Sequence, residues 1–410
     1  MNDARFLTPS QNKNFFMFVS AQCLSFIGKA LIRFVLPLYI LLETGDSALM
    51  GTILATTAIP SILIAPFSGV LVDRVKKNHL LATVNITTSL GIVLFYFAKQ
   101  HFGIISATIF MLLIVLTADS LTALTGKSSV TAVSRPENLV KANSILFLGI
   151  SICAIVTPIL GGFALGGIGI NAVLIISFGF LLVATFINLV TDIPTSTIKS
   201  NGNIFQTVIS DLTSGFKLAF TLNPKIGRVI VLVNMMFCIV LFPLTSMTLS
   251  ILITGYFGRN EEFLGVSAAI VGIGGIIGTL SINRLGEKVG INLMRPILMA
   301  STLILIPLTM TFTFGAPQLM NIILLLIVVF LMFFVNSVLA IIGRAYFGRK
   351  IPANMIGKIM GINSMFVLIG VSLGGYLYGF LFDIFIHSPG IVFLIITVAT
   401  GIMTWMAKIE

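Results

Sequence analysis

Three ionisable side chains, Lys29, Arg33 and Asp119, stand inside stretches that are otherwise almost wholly apolar. Lys29 and Arg33 are four residues apart, so a helix carries both on one face, one turn from each other. A charge in the middle of a bilayer costs on the order of 3 kcal/mol or more unless it meets water or a partner, which makes each of the three a candidate for work on a substrate or a proton. Two chemistries suit them. Asp119 can neutralise a nearby cation in an ion pair, or it can take up and give back a proton as a substrate binds and leaves. Two cations against one acid in this layer favour a substrate with an anionic or strongly electronegative group. The purely structural use of Lys29 and Arg33 would be to pair with carbonyls or to snorkel, a route open to Arg33 but not to the more central Lys29.

The elements that must position these groups follow from composition. With 57% hydrophobic and 9% charged residues over 410 positions and a mean hydropathy of +1.11, the chain has too little polar surface to cover a water-soluble globule. A spanning helix needs about 20 mostly apolar residues, and twelve such runs lie between polar breaks. They fall at 14–42, 47–72, 79–98, 103–126, 140–165, 170–191, 226–254, 263–283, 292–314, 318–343, 357–382 and 390–407. Continuous apolar runs exclude a membrane barrel, whose strands alternate apolar with polar. The expected fold is an all-α membrane protein. The first run is too long for a secretory signal and is expected to be a retained helix.

The net charge of +11 does not call for a nucleic-acid partner, because the cations sort by loop. Loops on one side, including both ends of the chain, hold twenty Lys and Arg; the opposite loops hold only Lys99 and Arg259. Positive loops stay in the cytoplasm. That bias places both termini there, in a bacterial-type plasma (inner) membrane, and an even number of crossings agrees with it. Cys23, Cys153 and Cys238 fall inside predicted helices and imply no disulfide framework. His79, His101 and His387 sit at loops or helix edges with no metal-ligand spacing, so neither a metal site nor an embedded enzyme is expected. Gly126-Lys127-Ser128 is not a nucleotide-phosphate loop, since Leu121 stands where that loop needs glycine. No cofactor is expected.

A long polar interruption divides the chain into 1–191, with six apolar segments, a linker at 192–225, and 226–410, with six more. Within this cytoplasmic linker, 204–221 places apolar side chains at helical spacing, which predicts a short amphipathic helix lying on the cytoplasmic face. The halves echo each other: Pro136-x-Asn138 and Pro352-x-Asn354 are 216 positions apart, followed by Asn143-Ser144 and Asn363-Ser364, then by Gly161-Gly162 and Gly374-Gly375. Such duplication is a transporter feature.

The loop after the second segment reads Gly69-Val-Leu-Val-Asp73-Arg74-Val-Lys-Lys77. Glycine lets helices approach closely, and a carboxylate at a helix end can pair with a cation or a helix N-terminus, a latch for one side of the membrane. Here the chain resembles the major facilitator superfamily, whose signature loop is G-x-x-x-D-R-x-G-R-K. Gly69, Asp73 and Arg74 match, Lys77 keeps a cation, and Lys76 replaces the second glycine. In the fifth segment, Pro158-Ile-Leu-Gly161-Gly162 is similar to the end of the antiporter motif of this superfamily's exporters, with Cys153 and Thr157 where earlier residues of that motif are expected. Leu36-Pro37-Leu38-Tyr39, Thr44-Gly45 and the 136–144 stretch resemble the branch that includes macrolide-efflux and enterobactin-export proteins.

The resemblance implies two six-helix bundles with segments 1, 4, 7 and 10 around a central cavity. It would bring Lys29 and Asp119 face to face and place Asn234 and Asn336 on the opposite wall. The implied function is proton-coupled efflux of a small amphipathic compound by alternating access, as in multidrug antiporters. The alternatives are exchange or facilitation of an anionic metabolite or lysophospholipid, and, outside transport, a membrane sensor on a transporter fold. Expected partners are a small-molecule substrate, protons and the lipid bilayer, with the chain acting as a monomer.

Overall fold

The computed structural model describes residues 9–134, 139–194, 204–285, 293–351 and 355–406, with the side chains of 9–12, 65–74, 127, 131, 139–141, 204–208, 211, 232, 282–285, 344–345, 348–349 and 356–357 outside that description. Among the described residues the regular structure is entirely helical. Backbone N–H and C=O groups in hydrocarbon have no water to pair with, so long apolar runs close their hydrogen bonds within the helix.

The chain begins with α1 (Pro9–Thr44) and α2 (Ser47–Arg74). Lys77–Val133 then runs for 57 residues and is broken at Gly103, where φ is 81° and ψ 167°. Only glycine adopts that conformation without strain, and it separates α3 (77–102) from α4 (104–133). Next come α5 (Leu139–Ile168) and α6 (Ile170–Val190). A short helix, α7 (Ile204–Phe216), follows in the linker. After it come α8 (Pro224–Tyr256), α9 (Glu261–Leu285), α10 (Met294–Thr313), α11 (Gln318–Lys350), α12 (Ile356–Phe385) and α13 (Pro389–Met406). Eleven described stretches are long and apolar enough to cross a membrane, and one of them, Lys77–Val130, is 54 residues long. At 1.5 Å per residue that is about 80 Å, more than twice a hydrocarbon core. With its break at Gly103 it supplies two crossings, so the described residues supply twelve.

The turns between paired helices are short and end in caps. Gly45, Gly169, Gly258 and Gly315 also have positive φ. Asp46 Oδ1 accepts the Leu49 N–H at 2.7 Å and starts α2; Asn260 Oδ1 accepts the Phe263 N–H at 3.2 Å and starts α9. An oxygen side chain just ahead of a helix satisfies an amide that has no partner in the first turn.

The chain forms two compact units, Met1–Tyr39 with Leu63–Val208 and Ile40–Ile62 with Ile209–Glu410. In the first, Phe15, Phe18, Leu81, Val130, Val133 and Leu146 form a buried cluster at one end, and Ser25 donates to Asn85 Oδ1 at 2.7 Å deeper in. In the second, α8 packs on α12, α9 on α11 and α10 on α13. Small residues set these distances. A Cβ on Gly278 of α9 would stand 3.1 Å from Phe334 Cα on α11, and one on Gly51 of α2 would stand 2.6 Å from the Gly375 carbonyl oxygen on α12. Lipid is as apolar as leucine, so close backbone approach, not hydrophobic burial, holds such helices together. The outward surface carries large apolar side chains, among them Phe186 (68% exposed) and Leu303 (64%). A surface of that kind suits acyl chains and not water.

Within the linker the chain is helical over Ile204–Phe216. Lys358 Nζ of α12 donates to Ser214 Oγ at 3.2 Å. The Phe216 and Phe220 rings lie 6.2 and 5.8 Å from the Phe366 ring of the same helix. From Lys217 to Leu222 the helix continues with i→i−5 hydrogen bonds, as the 2.9 Å bond from the Asn223 N–H to the Leu218 carbonyl shows.

Candidate functional site

The three charges picked out in the sequence meet in the first unit. Arg33 Nη1 donates to Asp119 Oδ2 at 2.5 Å, and Lys29 Nζ lies 3.7 Å from Asp119 Oδ1. Each carboxylate oxygen thus faces a different cation. The four-residue spacing of Lys29 and Arg33 on α1, about one turn, brackets the single acid on α4. Thr122, three residues on from Asp119, completes the set: Lys29 Nζ donates to its Oγ1 at 2.6 Å, while that hydroxyl donates to the Ala118 carbonyl at 2.8 Å. A threonine in a helix commonly spends its proton on the preceding turn, which leaves a lone pair for an incoming ammonium.

Exposure grades along the cluster. The Lys29 side chain is 1% exposed, that of Asp119 22% and that of Arg33 38%, and the Arg33 guanidinium stands 5.9 Å from the centre of the Phe26 ring. Lys29 is therefore the sealed end and Arg33 the open one. A buried ammonium is tolerable here because it has both an acid and a hydroxyl. With two cations and one acid, the cluster retains a formal charge of +1.

Sequence spacing alone did not single out Gln22. It lies two turns below Lys29 on the same stripe of α1, is 5% exposed, and its Nε2 has no hydrogen-bond partner among the described residues. Opposite it, a Cβ on Gly126 of α4 would come within 3.3 Å of Gln22 Oε1. The signal available in the sequence was a polar residue seven positions before Lys29.

In the second unit, Asn234 Nδ2 donates to Asn363 Oδ1 at 2.5 Å, joining α8 to α12. Asn234 sits in Val229–Met235, where the backbone pairs i→i−5. Wide turns of this kind shift side chains off the regular register and are frequent at functional sites. Asn363 entered the sequence argument only through the internal repeat, not as a partner of Asn234. Asn336 is partly buried on α11. Asn234 and Asn336 belong to the second unit, the charged cluster to the first.

Pro158 lies inside α5. Three residues on, Gly161 faces α1, where a Cβ would stand 2.9 Å from Phe34 Cδ1 and 3.2 Å from Val35 Cγ2; Gly162 is buried beside it. The motif residues thus hold α5 close to the helix that carries Lys29 and Arg33. Gly69, Asp73 and Arg74 fall at the end of α2, and their side chains lie outside the described residues. Lys77, the remaining member of that loop, donates its Nζ to the Ser128 carbonyl at 2.9 Å and ties the start of α3 to α4. Lys77→Met is expected to cost about 1 kcal/mol in a thermal or denaturant unfolding series, the size of a part-exposed charged hydrogen bond.

No group of three or more metal-ligating side chains occurs among the described residues.

Comparison with known proteins agrees with this architecture. The model of the Major Facilitator Superfamily matches residues 18–339. No curated protein sequence matches the chain. Among solved structures, the nucleoside transporter NupG is similar at 15% identity, with a TM-score of 0.71 over 97% of this chain and 98% of that one. A bacterial homolog of the human lysosomal transporter Spinster, in an inward-facing and unoccupied conformation, has 14% identity and a TM-score of 0.71 over 98% and 94%. A D-xylose-proton symporter has 12% identity and a TM-score of 0.69 over 96% and 97%. At these identities the likeness is one of fold.

Proposed function

Because the chain belongs to the major facilitator superfamily, we propose that it is a secondary active transporter that exports a small amphipathic compound in exchange for protons. The observation that carries this reading is the ion cluster of Lys29, Asp119 and Arg33, held on α1 and α4 inside the apolar span. A bilayer-embedded charge network is costly to keep and is the feature a carrier needs to couple binding to an ion. In this reading Asp119 carries the proton, Asn234 and Asn336 supply neutral polar contacts, and the halves 1–191 and 226–410 alternate in access. The Asp73–Arg74 loop with Lys77 latches the side bearing the termini. Pro158, Gly161 and Gly162 let α5 shift against α1, since a proline frees a backbone carbonyl and glycine removes the side chain between the two helices. The chain resides as a monomer in a bacterial-type inner membrane with both ends in the cytoplasm.

One observation favours a second reading, in which an anionic metabolite or lysophospholipid is exchanged: the cluster's formal charge is +1, which repels cationic compounds and welcomes anions.

Proteoliposomes decide between them. Under an imposed pH gradient, the exporter reading expects uphill movement of an amphipathic dye and complete loss of that movement in Asp119→Asn. If the variant still drives the dye uphill with the same dependence on the gradient, Asp119 is not the coupling group. Electrogenic exchange of a labelled lysophospholipid without any proton dependence would select the second reading.

A further inference from the structure

Resting on the reading of this cluster as the substrate site, we propose that it recognises an amphipathic compound through an anionic head, and that Arg33 is the residue that selects it. The geometry separates the two cations by task. Lys29 is sealed and committed: it is 1% exposed and bonded to Thr122 and Asp119. Arg33 is 38% exposed and spends Nη1 on Asp119. A guanidinium has five N–H donors in a rigid fork, so the open edge of Arg33 offers the two-pronged contact that carboxylates, phosphates and sulfates take.

The exposed edge does not lead out of the membrane. Arg33 lies about 7 Å from the middle of the 32-residue α1 span Lys13–Thr44, counted at 1.5 Å per residue. Its bond to Asp119, near the middle of α4, draws the side chain inward, opposite to a snorkelling arginine. An open guanidinium at that depth is tolerated where it meets water or a polar ligand, not acyl chains. Charge then fixes the sign of that ligand. A cationic head would raise the cluster from +1 to +2 in a medium of low dielectric, whereas an anionic head brings it to zero. Phe26, whose ring lies 5.9 Å from the same guanidinium, adds an apolar face beside the charge. A ligand that satisfies both carries its anion next to an aromatic or aliphatic body.

The test uses the full-length protein in nanodiscs of zwitterionic lipid and three probes that share one body: 2-naphthoate, 2-naphthylmethanol and 2-naphthylmethylamine. Binding of naphthoate is expected to be roughly tenfold tighter than that of the alcohol, with the amine weakest. Arg33→Gln should remove the preference for the acid, and Arg33→Glu should reverse it toward the amine. Arg33→Lys keeps the charge without the fork and should retain the order of preference at reduced affinity, which also covers the case in which Arg33→Gln fails to fold. Lysophosphatidylglycerol added as a competitor identifies the source of the head. If it displaces naphthoate the anion belongs to a lipid; if it does not, the anion belongs to a free solute. An amine preference in the unaltered protein, an unchanged preference in Arg33→Gln, or no binding of any probe overturns the inference. Gradient-driven dye export that persists beside an amine preference sinks this inference alone and leaves the transporter reading standing.

Discussion

Asp119→Asn is expected to lower the stability of the folded protein by about 3 kcal/mol, the scale set by removal of one partner from a buried ion pair. The substitution keeps the size of the side chain and removes its charge. Lys29, 1% exposed, then keeps only the Thr122 hydroxyl at 2.6 Å as a partner and loses the carboxylate at 3.7 Å. Arg33, 38% exposed, can turn its fork to water and loses less. Lys29→Met removes the sealed charge instead and leaves Asp119 paired with Arg33 at 2.5 Å, so its cost should be the smaller of the two. In the double variant Lys29→Met/Asp119→Asn no buried charge lacks a partner. It is expected to recover at least 1 kcal/mol of the summed losses, a coupling typical of residues in one network. Unfolding midpoints of the four proteins in one detergent measure this directly. Strict additivity would mean that the three groups are near one another without acting as a unit. Transport should separate from stability: the double variant refolds well and still fails to move substrate uphill, because the proposed proton carrier Asp119 is absent.

Which parts of this arrangement could be read from the residues depends on whether a one-dimensional pattern encodes them. The crossings could, since about 20 apolar residues in a row have few other uses. The turn at Gly103 could also be placed, between Lys99 and the next apolar run, although its positive φ is a backbone fact that composition does not reveal. The pair on α1 was visible as an i, i+4 spacing, and Asp119 as an acid where lipid allows few. Their meeting rested on resemblance, because nothing in the residues themselves orders helices around a bundle. Thr122 escaped notice: most threonines in these helices bond the preceding turn, as Thr125, Thr157 and Thr185 do, and only proximity to Lys29 distinguishes it. Asn363 was noticed for its repeat and not for Asn234, because a contact between residues 129 apart leaves no periodic trace. The i→i−5 stretches at Val229–Met235 and Ile251–Tyr256 depend on how α8 fits its neighbours. The approach of Gly51 to Gly375 and Gly379 likewise joins residues that no spacing relates. The motif loop at Gly69, Asp73 and Arg74 is legible as a motif, and the structure describes the side chains of its Lys76 and Lys77 but not of those three.

Gly374→Val in α12 is expected to cost about 3 kcal/mol, the upper end of the range for overpacking a tight core. A Cβ at Gly374 would stand 2.7 Å from Pro243 Cγ and 2.9 Å from the Ile239 carbonyl carbon of α8. Backbone and a proline ring cannot swing aside as a long side chain does, so the helices themselves must part. One turn toward the N-terminus, Gly370 lies 3.3 Å, by the same construction, from Cys238 Cβ, and one turn the other way the Tyr378 hydroxyl donates to the Val240 carbonyl at 2.8 Å. The whole contact is therefore built at backbone distance, and a valine in its middle strains its neighbours together. Gly361 on the same helix supplies the control, because a Cβ there meets nothing within 4 Å. Gly361→Ala should be neutral or stabilise by up to about 1 kcal/mol, the gain of alanine over glycine in a helix interior. A protein that unfolds at the same midpoint with Gly374→Val as without it would show that α8 and α12 do not touch at this distance in the membrane. The change should also reach the polar pair: parting α8 from α12 lengthens the 2.5 Å bond between Asn234 and Asn363, so a transport defect is expected even in the fraction of Gly374→Val that folds, and Gly361→Ala should show none.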